Sequence, residues 1–155
     1  MIAQINQFGA SISDNSVIKP ANSSQIIGAA LQAAAAGRRV LVVQFLKGGL
    51  HQGQDHMVNL AQNLDWLRSD LMRHFTGGEL SDPESQSLAI LWQHAQQLIR
   101  SLEYQLVILE DLQGLVKIGA IEQVEVEQLL RTLPASVEVV IPGITADQVV
   151  ELRAS

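Results

Sequence analysis

Three short, almost entirely apolar runs constrain the fold of this chain more than any other feature. They are RVLVVQFL at 39–46, QLVILE at 105–110 and SVEVVIP at 136–142. Such runs, rich in Val, Ile and Leu, are typical of strands buried on both faces, as in parallel sheets covered by helices. We therefore predict an α/β fold with three layers and a mainly parallel sheet, in which the first two runs lie parallel near the centre.

The segments around these runs carry helical patterns. Ser23 and Ser24 are good N-cap residues, and Gly37 is a natural C-terminal stop, which predicts a helix of about 13 residues between them. Further helices are predicted from Ser81 to near Tyr104, over VEVEQLLRTL at 124–133 and from Thr145 to Arg153. In the middle third, QDHMVNLAQNLDWL at 54–67 predicts another helix, and residues 70–75 predict a weak strand.

Charge and composition exclude several classes of function. The formal net charge is −6, with 16 acidic against 10 basic residues, which argues against a surface that binds nucleic acid. Without cysteine there is no disulfide, no thiolate nucleophile and no cysteine metal site. No signal peptide and no apolar run long enough for a bilayer are recognised, so we expect a cytoplasmic protein. We expect residues 1–16 to be an N-terminal arm and residues 17–155 to be a single domain.

Ligands of open parallel sheets collect beyond the carboxyl ends of the strands, so the residues that follow each apolar run are the candidates for a site. They are Gln44-Phe45-Leu46-Lys47-Gly48-Gly49, Glu110-Asp111 and Pro142-Gly143-Ile144. The stretch at 17–24, before the first helix, is a fourth candidate.

The helices, apolar strands and strand-end residues follow one another in two long segments. They are GAALQAAAAGRRVLVVQFLKGG at 28–49 and EYQLVILEDLQGLVKIGAIEQVEVEQLLRTLPASVEVVIPG at 103–143. Over roughly residues 16–151 the chain resembles the P-loop type of corrinoid (cobalamin) adenosyltransferase. In that family a glycine-rich loop opens the helix, and the following strand ends in Gln-Phe-(Ile/Leu)-Lys-Gly. A later strand ends in Asp-Glu, and another in Thr-Gly-Arg. The resemblance implies a P-loop NTPase-like (RecA-like) fold, Mg²⁺ and ATP, a corrinoid substrate and a homodimer.

The phosphate loop of that family, or Walker A motif, is degenerate here. Its counterpart is KPANSS at 19–24, where the family's lysine falls on Asn22. No glycine occurs between Gly9 and Gly28, so the backbone cannot readily turn successive N–H groups inward, and Pro20 has none to offer. The resemblance implies a vestigial nucleotide site at Asn22, Ser23, Ser24 and Lys47. The alternatives are an N-cap role for Ser23 and a solvated Lys47.

The acidic pair and the last motif are altered too. Glu110-Asp111 stands where the family has Asp-Glu, and Pro142-Gly143-Ile144 stands in place of Thr-Gly-Arg. The resemblance implies a vestigial metal site at Ser23, Glu110 and Asp111, although two solvated carboxylates at a strand end would look the same. The sequence also ends at Ser155, before the final strand and tail that the family carries.

The histidines and aromatic residues suggest no further site. The spacing of His51, His56, His74 and His94 does not suggest a shared metal site, and we expect these residues on the surface. Phe45, Trp66, Phe75 and Trp92 are expected to be core residues, because aromatic residues are scarce in this chain.

Three functions are compatible with this sequence. The first is an adenosyltransferase-like protein that has lost ATP-dependent transfer and acts as a binding or regulatory module, with no catalytic residue assigned. The second is an active ATP:corrinoid adenosyltransferase with an atypical phosphate site. The third is a structural or assembly protein. It would bind neither nucleotide nor corrinoid and would contact another protein through an exposed apolar edge.

Overall fold

The computed structural model of the chain describes residues 23–46, 58–69, 71 and 78–142. The helices and strands in order are α1 Ser23–Ala35, β1 Val40–Gln44, β2 Val58–Ala61, β3 Leu64–Arg68, α2 Asp82–Arg100, β4 Leu106–Glu110, α3 Leu112–Lys117, α4 Gln123–Thr132 and β5 Glu138–Val140. The predicted N-terminal arm, the stretch at 17–22 and the terminal helix at 145–153 lie outside the described residues.

The five strands form one sheet in the order β2-β3-β1-β4-β5. Strand β1 pairs in parallel with β3 on one side and with β4 on the other, and β4 pairs in parallel with β5. Only β2 is antiparallel, at the edge beside β3. The prediction of a mainly parallel sheet with the first two apolar runs side by side at its centre is therefore confirmed, and the fold is P-loop NTPase-like.

Both faces of the sheet are covered. Every residue of β1, β4 and β5 is buried, which requires packing above and below the sheet. Helix α1 presents a stripe of small and branched residues, and α2 presents a longer stripe; the buried members are Ile26, Ala30, Ala33, Ala34, Leu88, Leu91, Trp92, Ala95 and Ile99. Helical spacing thus supplies the apolar faces that the parallel strands need.

The start of α2 follows its local sequence closely. Ser81 is the N-cap, its hydroxyl accepts from the backbone N–H of Glu84, and the Glu84 carboxylate accepts from the backbone N–H of Ser81 in return. This capping box begins the helix as predicted. The helix ends at Arg100 rather than near Tyr104, because Leu102 adopts a left-handed backbone conformation (φ 62°). No described helix is long and apolar enough to cross a membrane.

The predicted helix at 54–67 is wrong within the described part of that range. Strands β2 and β3 form a hairpin there, in which Ala61 pairs with Leu64 across a tight turn at Gln62 and Asn63. Asn63 takes a positive φ of 68°, a conformation that asparagine tolerates better than most residues. Of the strand predicted at 70–75, Leu71 is the only described residue, and it lies outside any strand.

A polar cluster ties the amino ends of β3 and β4 together. The hydroxyl of the buried Tyr104 donates to Asp65 Oδ2 at 2.6 Å, and Arg39 Nη2 lies 3.8 Å from the same carboxylate oxygen. The Arg39 guanidinium also lies over the Tyr104 ring, 5.4 Å from its centroid. Nearby in sequence, Arg38 forms an ion pair of 2.9 Å with Glu138 at the start of β5. These contacts lie at the edge opposite the carboxyl ends of the strands.

The cluster gives a measurable pH dependence. Burial, and then the hydrogen bond and negative charge of Asp65, raise the pKa of Tyr104 far above its ordinary value of about 10. A raised folded-state pKa means that the contribution of Tyr104 to stability is complete below about pH 10 and is lost as the pH rises above that. Because Tyr104 is the only tyrosine, phenolate absorbance reports it alone. We expect no phenolate near pH 10 in the folded protein, and phenolate near that pH in urea.

A Tyr104→Phe variant is the control for this titration. It should lose stability at neutral pH by about 1.5–3 kcal/mol, the range for a hydrogen bond to a charged group. Above pH 10 its stability should fall less steeply than that of the unmodified protein. Appearance of phenolate near pH 10 while the protein remains folded would contradict the burial and bonding of Tyr104.

Candidate functional site

Three polar residues stand in a row at the carboxyl ends of adjacent parallel strands. Gln44 ends β1, Arg68 ends β3 and Glu110 ends β4, and Gln44 is the register partner of both others. Residues paired in register project from the same face of a sheet. The edge at which parallel folds bind ligands therefore presents an amide flanked by a cation and a carboxylate.

Gln44 links the row through its side-chain amide. Its Nε2 donates to Glu110 Oε2 at 2.6 Å, while its Oε1 accepts from Arg68 Nε at 2.8 Å and from the indole Nε1 of Trp66 at 2.9 Å. Two donors on the oxygen and an acceptor on the nitrogen fix which way the amide points. Gln44 is thus a rigid bridge between opposite charges on the two neighbouring strands.

The surroundings of the row are mostly shielded from water. Gln44 and Glu110 are only 1% and 3% exposed, whereas Arg68 and Trp66 are half-buried. The Arg68 guanidinium lies 4.8 Å from the centroid of the Trp66 ring, a cation–π geometry. Burial lowers the pKa of Arg68 from its ordinary value, but a guanidinium remains charged at neutral pH.

The chain turns sharply after Glu110. Asp111 is the N-cap of α3 in a left-handed conformation (φ 68°), and its side chain makes no capping hydrogen bond. Such a conformation costs of order 1 kcal/mol or more in a residue other than glycine, and it is often found at functional sites. A Cβ added at Gly114 would lie 2.6 Å from Leu46 Cδ1, so α3 packs closely on the segment that follows β1. The ends of β1 and β4 are held together by this contact as well.

Glu110, a member of the predicted metal set, is engaged within the protein. Mg²⁺ would need free carboxylate oxygens with room for water ligands, but the Glu110 carboxylate is buried and accepts from Gln44. Among the described residues, no group of three or more His, Asp or Glu side chains could hold a metal ion. The side chain of Ser23, the third residue of the predicted metal set, is not described.

The predicted site residues are only partly brought together. Glu110 and Asp111 lie at the end of β4 as expected, and Ser23 and Ser24 are the first two residues of α1. Asn22 and Lys47 lie outside the described residues, so their roles stay predictions. Pro142 is half-buried and follows β5, while residues 143 and 144 lie outside the described part of the chain.

Sequence reasoning missed the contribution of β3. Trp66 was expected to be a core residue, but it is half-buried and bonds Gln44, and Arg68 was not singled out at all. Phe45 and Trp92 are core residues as predicted, with their ring centroids 6.0 Å apart. Of the histidines, only His94 is described, and it is half-buried; the others and Phe75 lie outside the described residues.

Comparison with models of known protein families gives a match over most of the chain. A sequence model of the family described as ATP:corrinoid adenosyltransferase BtuR/CobO/CobP matches residues 21–154. A search of curated proteins found no match. The family match begins just before α1 and includes all nine described helices and strands, so it includes the whole row at the carboxyl edge.

Proposed function

The chain belongs to the ATP:corrinoid adenosyltransferase family, and from that membership we propose that it keeps the fold as a binding or regulatory module and has lost ATP-dependent adenosyl transfer. The observation that carries the proposal is the state of Glu110. Its carboxylate is buried and bonded to Gln44, which in turn holds Arg68, so it is committed to the protein rather than to a metal ion.

The chemistry of the reaction explains why this matters. Transfer of a 5′-adenosyl group requires that the negative charge of the departing triphosphate be stabilised by backbone N–H groups, a lysine and a metal ion. Removing one preorganised donor of this kind costs several kcal/mol of transition-state stabilisation. The sequence at 19–24 lacks the glycines and the lysine, and Glu110 is tied to Gln44. Together these changes support loss of turnover.

The hydrogen-bonded side chains at the carboxyl edge of the sheet support a retained binding function. Buried polar groups destabilise a fold unless their partners are in place, and a satisfied network holds its side chains rigidly. Here Gln44, from the motif that carries the family resemblance, uses both ends of its amide. We propose that this edge still receives a ligand, with a corrinoid as the first candidate.

Two measurements on the full chain test the proposal. Calorimetric titration with a corrinoid is expected to show binding, and an assay with reduced cobalamin and Mg²⁺-ATP is expected to give no adenosylcobalamin beyond the protein-free control. Formation of adenosylcobalamin would establish the active enzyme instead. Absence of binding to both corrinoid and Mg²⁺-ATP would favour a structural partner without either ligand.

The active enzyme is the second candidate, and a specific observation favours it. The Gln-Phe-Leu segment, which begins at the last residue of β1, is intact, and carboxylates remain at 110 and 111. Under this alternative Lys47, Ser23 and Asp111 would supply the phosphate and metal contacts that the degenerate loop lacks. Turnover that depends on Lys47 in the reduced-cobalamin assay would support it.

Partners and cellular location are proposed from the family and the composition. We propose a homodimer in the cytoplasm, with a further protein partner if the module is regulatory. Light scattering of the purified chain gives the oligomeric state, and a monomer at micromolar concentration would argue against the homodimer.

A further inference from the structure

Neither the sequence pattern nor the family motif assigns a role to the positively charged side chain of Arg68. Its Nε–H is used by Gln44, and one face of its guanidinium stacks on Trp66. Among the described residues, the N–H groups on its two terminal nitrogens have no partner. Arg68 is half-buried at the carboxyl edge of the sheet, beside the only carboxylate that the row contains.

This arrangement prepares the guanidinium for an incoming anion. A free arginine side chain loses rotamer freedom when it binds, but here two contacts already fix the planar group. The terminal nitrogens of a guanidinium present parallel donors that match the paired oxygens of a phosphate or a carboxylate. Partial burial strengthens such a contact, because less water screens it.

The neighbouring carboxylate does not cancel this charge. Gln44 lies between the two charged groups and is hydrogen-bonded to each of them, so Glu110 Oε2 accepts from an amide N–H. Gln44 therefore satisfies Glu110 without using the terminal nitrogens of Arg68. A metal ion placed beside a fixed guanidinium would be repelled, whereas an anion would be attracted.

We propose that Arg68 receives a phosphate or carboxylate group of the ligand at this edge and takes the place of a divalent metal ion there. The inference rests on the proposal that this edge still binds a ligand. It predicts anion binding that persists when divalent metals are removed. It also assigns the recognition of the anion to β3, the strand whose contribution the sequence did not reveal.

The test uses the full chain and two probes, tripolyphosphate and citrate, titrated calorimetrically in the presence of a metal chelator. Binding of at least one probe is expected, and the preferred probe identifies a phosphate or a carboxylate as the group recognised. Arg68→Gln should weaken that binding about tenfold or more, the scale of one charge-assisted contact. Arg68→Lys keeps the charge but loses the paired donors of the guanidinium, so its affinity for the probe should lie between those of the unmodified chain and of Arg68→Gln. Arg100→Gln, an exposed arginine at the end of α2, is the matched control and should bind as the unmodified chain does.

Tryptophan emission separates a direct role from a folding defect. Arg68 lies on Trp66, so the anion should change the emission of a Trp92→Phe variant, in which Trp66 is the only tryptophan. Unfolding curves of Arg68→Gln establish that the variant is folded. The inference is overturned if neither probe binds, if binding disappears with the chelator, or if Arg68→Gln binds the probe unchanged. If corrinoid binding persists in any of these outcomes, the proposed function stands while the role of Arg68 does not.

Discussion

Replacing Gln44 by leucine is expected to lower the free energy of unfolding by about 3 kcal/mol, the cost of removing a shared hydrogen-bond partner from a buried charged group and its neighbours. The Glu110 carboxylate would lose its amide donor, and Trp66 and Arg68 would lose their shared acceptor. Leucine fills a similar volume, so the loss reports the polar bridge rather than a cavity. Chemical denaturation monitored by circular dichroism measures it.

A second substitution distinguishes this bridge from general damage to the core. Replacing Glu110 as well removes the buried carboxylate that lost its amide donor, so the Gln44→Leu, Glu110→Leu double variant should be more stable than Gln44→Leu alone. Gln128→Leu, on an exposed position of α4, is the matched control and should change stability by less than about 0.5 kcal/mol. A double variant less stable than the single one would show that Gln44 and Glu110 do not act as a pair.

Restoring a phosphate loop is expected to raise the affinity for ATP about ten- to a hundredfold. The variant replaces residues 19–24 by a glycine-rich loop that ends in Lys-Thr, and it exchanges Glu110 and Asp111. Each charge-assisted hydrogen bond to phosphate contributes roughly 1.5–3 kcal/mol before ordering costs, so one or two new bonds account for the gain. The aspartate at 110 is one methylene shorter, which draws the carboxylate away from Gln44 and towards a metal ion.

Adenosyl transfer by the grafted variant should nevertheless remain slow. The sequence at 142–144 still replaces the family's Thr-Gly-Arg, and a misplacement of about 1 Å can cost on the order of a hundredfold in rate. A graft with methionine in place of the new lysine is the control, and it should regain little affinity. If the unmodified chain already binds Mg²⁺-ATP at micromolar levels and the graft adds nothing, the sequence at 19–24 does not decide ATP binding.

The central sheet could be predicted from sequence because burial on both faces leaves a continuous apolar signature. Val40–Val43 and Leu106–Leu109 carry that signature, and they are the two strands whose neighbours are both parallel. The hairpin of β2 and β3 could not be recognised in the same way. Its Leu, Ala and Gln residues favour helices, its turn contains no glycine, and pairing with β1 decides the outcome.

The candidate site likewise contains residues that the sequence could place and residues that it could not. Gln44 and Glu110 follow unmistakable strands, so their place at the carboxyl edge could be foreseen. Arg68 and Trp66 belong to the misassigned hairpin, and a residue on a helix would not have been considered for that edge. Only Leu64, Asp65 and Trp66 alternate between apolar and polar residues, and so short a run does not predict a strand.

The position of β1 at the centre of the sheet has a consequence for how the chain folds. Its two neighbours come from very different distances: Arg68 is 24 residues from Gln44, whereas Glu110 is 66 residues away. Since closing a longer loop costs more entropy, the hairpin and β1 are expected to associate before β4 docks. Until then one side of β1 would expose a run of valines with unpaired backbone groups, the kind of edge that joins chains into aggregates. Slow docking of β4 would then set both the folding rate and the yield of soluble protein.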